Sequence, residues 1–178
     1  MGRSRFKFQE NHYPYFITSS VINGIPLFSD PELADIILQS LQFIQEQKGA
    51  ILYGYVIMEN HIHAVLESDD ISRVIQSFKS YTAKKIIQSL EERERLLLLK
   101  RLRFNKKKHK IQSEYQVWQE GVHPKQIDST KKMISCLEYI HYNPVKVGYI
   151  DDPVHWRYSS ARKYQNLPGL IGITIFDG

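Results

Sequence analysis

Apolar positions along this chain follow two spacings, alternate in some stretches and three-to-four apart in others, and the switches between them mark out its elements. Residues 13–21 are rich in aromatic and β-branched side chains and predict a strand that Asn23-Gly24 and Pro26 end. Leu33, Ile37, Leu41 and Ile44 recur at helical spacing and predict a helix over roughly residues 30–48. Ser29-Asp30-Pro31-Glu32 opens it as a capping-box pattern, and Gly49 closes it. On both sides of Glu59-Asn60 the residues are apolar or β-branched, so two short strands joined by a tight turn are expected between residues 54 and 66. Ile71, Val74, Ile75 and Phe78 mark a second helix from about Asp69-Asp70, with Arg73, Lys79, Lys84 and Lys85 on its polar side. Residues 115–119 supply a fourth strand. A third helix, capped at Asp128-Ser129-Thr130, carries Met133, Leu137 and Ile140 and is expected to end at Pro144. Residues 156–164 predict a short final helix, and the tail from Pro168 to Gly178 is apolar enough to dock on the body.

The order strand, helix, strand, strand, helix, strand is that of an α+β, ferredoxin-like (split βαβ) antiparallel sheet, with helices on one face and the other face open. One domain over residues 1–178 is expected: sheet and helices over 12–127, with a basic insertion at 91–112, then the third helix and tail over 128–178. No internal repeat or low-complexity linker interrupts it.

Composition narrows the class. An apolar fraction of 42% supports a packed core and excludes global disorder. A net charge of +5 leans towards an acidic polymer as partner. The single cysteine, Cys136, excludes an internal disulfide and suits a reducing compartment. The basic start lacks a following apolar segment, and no apolar run approaches the ~18 residues of a membrane span, so a cytoplasmic protein without membrane contact is expected. Residues 100–110 hold seven Lys or Arg in eleven positions, either a solvated loop or a phosphate-contacting arm.

Two patterns carry candidate chemistry. His61 and His63 are separated by one residue on a strand, so both face one side while Ile62 faces the other. Such a pair can hold one metal ion, or can be two half-buried strand histidines. Tyr139 and Asn143 stand four apart and share a helix face, with Tyr142 partly to one side.

Read together, these stretches resemble a known family. Val56-Ile57-Met58-Glu59-Asn60-His61-Ile62-His63 resembles the histidine-hydrophobe-histidine motif of the HUH single-strand DNA transposases. Residues 139–148, beginning Tyr139-Ile140-His141-Tyr142-Asn143-Pro144, resemble the helix that carries their single catalytic tyrosine. Trp156-Arg157-Tyr158-Ser159-Ser160-Ala161 and Val117-Trp118-Gln119-Glu120-Gly121 are similar to motifs of the REP-associated tyrosine transposases. The matches fall in order and span roughly residues 12–176.

The resemblance implies a metal-dependent tyrosine transposase that nicks and rejoins single-stranded or hairpin, REP-like DNA. Tyr139 would attack phosphorus, giving a 5′-phosphotyrosine and a free 3′-hydroxyl. His61 and His63 would hold Mg²⁺ or Mn²⁺, with Asn143 standing where related single-strand transposases carry a glutamine, one methylene longer. Phosphate contacts are expected from Lys84, Lys85, Arg101, Arg103, Lys106, Lys107, Lys108, Arg157 and Arg162. Tyr142 is the rival nucleophile. A non-catalytic hairpin-binding module and a water-using metal phosphodiesterase are the rival functions, and monomer and homodimer are both open.

Overall fold

The alternation of side chains along each strand divides this chain's core in two. The computed structural model describes Glu10, residues 12–122 and residues 124–178; the basic first residues lie outside these. Its elements are β1 (Tyr15–Ser20), α1 (Pro31–Lys48), β2 (Ile51–Ile57), β3 (His61–Glu67), α2 (Ile71–Glu92), α3 (Leu96–Phe104), β4 (Lys125–Gln126), α4 (Thr130–Lys146) and α5 (Ala161–Tyr164). The sheet runs β2-β3-β1-β4, with every pairing antiparallel, as the expected ferredoxin-like order requires.

Tyr15 and Ile17 of β1, Ile62, Ala64 and Leu66 of β3, and Leu52, Tyr55 and Ile57 of β2 face α1 and α2 in the larger apolar cluster. Leu33, Ile37, Leu41 and Ile44 meet them from α1, and Ile71, Val74, Ile75 and Phe78 from α2. The opposite face carries Phe16, Val56 and Val65, against which α4 lays Met133, Leu137 and Ile140. This second face was expected to stay open. Instead α4 lies across it, because its apolar stripe has to be buried somewhere and the first face is already taken.

One position sets how closely α4 approaches. β2 has a register shift between Leu52 and Gly54 where it pairs with β3. A Cβ added at Gly54 would stand 2.6 Å from Leu137 Cδ2, well inside contact distance. The helix rests on the bare glycine.

Four local expectations are corrected. The N-cap of α1 is Asp30, whose side chain accepts from Glu32 N–H at 3.2 Å, because Ser29 is taken up in a preceding 3₁₀ turn (Leu27–Ser29). Glu32 turns instead to Ser89 and Arg93. Pro144 does not end α4, which runs on to Lys146. A proline removes one N–H but keeps a helical φ, and the end is closed by Tyr149 N–H donating to Pro144 O at 3.0 Å.

The fourth strand is split. Residues 115–119 give only an isolated bridge, Val21 to Trp118, and the regular pairing falls to Lys125–Gln126 against Tyr15 and Phe16. Between the two pairings the edge has eight positions (118–125) where its partner has six (16–21). Residues 156–160 are not helical. They run along β2, with Ile57 N–H donating to Tyr158 O and Ser160 N–H to Tyr55 O, and so cover the β2 edge. The tail does dock: Ile171 is buried in the larger cluster, and Thr174 N–H reaches Leu52 O. Among the described residues no helix is long and apolar enough to cross a membrane.

Candidate active site

His61 and His63 project from β3 onto the face that α4 covers, and Ile62 goes into the core behind them. Their ring centroids are 4.8 Å apart. Each ring is held through Nδ1. His61 Nδ1 lies 2.7 Å from Asn60 Oδ1, and Asn60 Nδ2 donates to Gly24 O, which fixes the amide's orientation. Because Oδ1 can only accept, His61 Nδ1 carries the proton and Nε2 keeps its lone pair. His63 Nδ1 lies 2.8 Å from Thr18 Oγ1, its cross-strand partner on β1, and the hydroxyl can accept in the same way. Outer partners of this kind set the tautomer of metal-binding histidines.

Both rings are kept neutral. Burial pushes the His63 imidazole down to about 3, helped by His61 and by the charge of Lys125. Burial also lowers His61, against an opposing pull from Glu59. Neutral imidazole is the form that ligates a metal.

α4 brings Tyr139 to the same place. Its ring meets His63 edge-on at 5.3 Å, and Phe16 lies against both, 5.3 Å from His63 and 5.7 Å from Tyr139. Tyr139 remains 42% exposed although it touches this cluster. Asn143, one turn on, is only 8% exposed, and its Oδ1 is buried with no hydrogen-bond partner. An orphaned amide oxygen costs about 1–3 kcal/mol unless something arrives to use it. Neutral imidazoles favour divalent transition ions and an amide oxygen favours harder ones such as Mg²⁺ or Mn²⁺, so His61, His63 and Asn143 are the residues that could hold a divalent ion here. Among the described residues no group of three His, Cys, Asp or Glu could serve instead.

Other expected residues sort by position. Tyr142 is half exposed, and the ring that meets His63 is that of Tyr139. His141 points to the β2 side, where its Nε2 lies 2.9 Å from Ser160 Oγ; burial lowers it to about 4. Glu59 accepts from Tyr149 O–H at 2.5 Å, and Tyr149 stacks on Trp156 beside the exposed Arg157. Arg162 is partly buried, with Nε unpartnered.

The basic run lies elsewhere. Leu99 and Leu102 anchor α3 in the larger cluster, which puts Arg101 and Arg103 on the far side of the sheet from the histidines. Arg103 pairs with Glu114, and Lys107 and Lys110 share Glu120. Lys106 donates to Lys110 O, while Lys108 is exposed. Lys84 and Lys85 sit on α2, Lys85 over the Tyr81 ring.

Four contributors were not singled out from the sequence: Thr18, Phe16, Lys125 and Lys146. Lys146 had a signal, since it lies seven residues from Tyr139 and so on the same helix face. Its Nζ stands 4.8 Å above the Tyr139 ring. Phe16 and Lys125 face each other across β1 and β4, a pairing no local pattern announces.

Comparison with known proteins gives the family and the fold. A protein of Haemophilus influenzae named as a REP-associated tyrosine transposase is 29% identical over 111 residues, covering 60% of this chain and 56% of its own. The aligned part is thus little more than half of that relative. The solved structure of a REP-associated tyrosine transposase bound to a REP hairpin superposes with a TM-score of 0.63 over 99% of this chain and 96% of that one, at 17% identity. That likeness is one of fold. The family described as IS200-like transposases matches residues 15–143, from the first residue of β1 to Asn143 and through both histidines and Tyr139. With well over half its length inside that match, the chain belongs to the IS200-like transposases.

Proposed function

We propose that this protein cuts and rejoins single-stranded DNA at the foot of a hairpin, with Tyr139 as the nucleophile. One observation carries the reading: a strand and a helix far apart in sequence bring His61, His63 and the partly exposed ring of Tyr139 together, while Asn143 one turn along the helix holds a buried oxygen with no hydrogen-bond partner. A hairpin is the natural substrate class, since the solved neighbour of like fold is described with one.

The step balances without an outside energy source. The Tyr139 oxygen gives up its proton and bonds to phosphorus, the P–O3′ bond breaks, and the departing 3′ oxygen takes up a proton. The downstream 5′ end stays on Tyr139 as a phosphodiester, so another 3′-hydroxyl can attack it and expel the tyrosine. His61, His63 and Asn143 would hold a divalent ion, which when bound polarises the phosphate and offsets its negative charge. Thr18 and Asn60 hold the two imidazoles in the ligating tautomer. Phe16 packs against the Tyr139 ring and limits its swing.

The test is covalent trapping. Purified protein is mixed with labelled single-stranded hairpin DNA from beside its gene, plus Mn²⁺ or Mg²⁺, and run on a denaturing gel. A protein–DNA adduct is expected in wild type and absent in Tyr139→Phe and His61→Ala. An adduct that persists in Tyr139→Phe would move the nucleophile to Tyr142. Equal hairpin binding by all three proteins with no cutting would leave a binding module.

A further inference from the structure

The cations nearest the nucleophile are not those of the basic run. Lys146 Nζ stands 4.8 Å from the centre of the Tyr139 ring, and Lys125 Nζ stands 5.7 Å from that of Phe16. Those two rings touch edge-on, so each of the paired aromatics carries its own ammonium. Both placements are built in. Lys125 is registered opposite Phe16 by the short β4 pairing, and Lys146 stacks above Tyr139 because α4 continues through Pro144.

Both lysines are exposed, and among the described residues neither has a carboxylate within ion-pair distance. The basic run differs. Arg103 is paired with Glu114, and Lys107 and Lys110 with Glu120. A cation already paired has to give up that partner before it can take a phosphate; Lys125 and Lys146 do not. A ring beneath each ammonium also restricts where it can go, which lowers the entropy lost on contact.

We propose that Lys125 and Lys146, standing over the touching Phe16 and Tyr139 rings, form a two-lysine site for the phosphodiester backbone that guides the strand across the nucleophile. The site recognises phosphate charge and reads no base. It rests on Tyr139 being the cutting residue only for its purpose; as a DNA contact it is measured separately.

The experiment follows hairpin DNA with a single-stranded foot by fluorescence anisotropy over a series of NaCl concentrations. All variants are made in Tyr139→Phe so that no cutting intervenes. Each single-strand phosphate contact contributes about 0.7 to the slope of log affinity against log salt. Lys125→Gln with Lys146→Gln is expected to lower that slope by about 1.4, and Lys125→Arg with Lys146→Arg to keep it. Lys48→Gln, at the end of α1 under the other face, removes one charge and is the control for each single variant, Lys125→Gln or Lys146→Gln, whose slope is expected to fall by about 0.7. An unchanged slope in the double glutamine variant overturns the proposal. So does a loss in Lys48→Gln equal to that of either single variant, which would mean that only net charge matters. Thermal melting checks that the variants are folded. If the Tyr139 reading were wrong, an adduct would survive Tyr139→Phe in the trapping assay, whatever the slopes show.

Discussion

Replacing Gly54 by alanine tests whether the site depends on how closely α4 sits on the sheet. The added Cβ would lie 2.6 Å from Leu137 Cδ2 and 3.3 Å from Ser160 Oγ, with His141 Nε2 at 3.9 Å. Carbon pairs settle at about 3.5–4.0 Å, so the alanine and Leu137 must separate by about 1 Å. Ser160 cannot yield easily, since its Oγ is tied to the Tyr55 backbone and to His141. Overpacking of this kind costs about 1–3 kcal/mol. At about 2–4 °C of melting temperature per kcal/mol for a chain of this size, the expected fall is several degrees. If α4 rather than the Leu137 side chain gives way, Tyr139 moves with it, and a misplacement of about 1 Å can cost on the order of 10²-fold in rate. The assays are thermal melting and the initial rate of adduct formation. Leu137→Ala supplies the second arm: alone it should cost about 2–5 kcal/mol, but combined with Gly54→Ala it relieves the clash, so the double variant should be more stable than the sum of the singles predicts. A Gly54→Ala protein that melts and cuts like wild type would refute the reasoning, as would strict additivity with Leu137→Ala.

Acid should weaken the fold through two buried histidines. His63 and His141 fall to about 3 and about 4 when folded, below an unfolded value near 6.5, so the unfolded chain binds more protons between those limits. Stability is therefore full above about pH 6.5 and is lost as pH falls, by up to about 1.4 kcal/mol per pH unit for each group. Urea unfolding at several pH values should show this, with a shallower acid limb in His141→Gln; a wild-type profile flat down to pH ~4.5 would sink it. Asn143→Ala should remove most of the melting shift given by Mn²⁺, which for wild type is about 1.4 kcal/mol at ten times the dissociation constant, while Asn143→Gln should retain it. An equal shift in wild type and Asn143→Ala would exclude that oxygen as a ligand.

Much of the fold was legible because strand alternation and helix spacing are local consequences of burial. The two histidines with Ile62 between them gave one face of β3, and the histidine and tyrosine rings do meet across the sheet and the helix. What escaped was decided by partners distant in sequence. Residues 115–119 have strand composition, yet the regular pairing with β1 went to Lys125–Gln126, a choice settled by partners distant in sequence. Residues 156–160 became an edge along β2 because Tyr55 and Ile57 offered unpaired backbone groups there, which no local pattern reports.

The Pro144 misreading hid the position of Lys146 as well as a helix end. A stop at Pro144 would leave Lys146 in a loop with no fixed relation to Tyr139; a helix that continues sets it two turns above the ring. The same stretch also explains why several of the motifs lie close in space. Leu137 rests on Gly54, His141 meets Ser160, and Ser160 bonds the Tyr55 backbone, so the tyrosine helix, the second strand and the tail lock at one point. If Tyr139 is the nucleophile, its helix needs its rotation fixed as well as its distance from the histidines. Gly54 sets the distance and the His141–Ser160 contact resists rotation. Positioning thus accounts for residues in these motifs that never need to touch DNA.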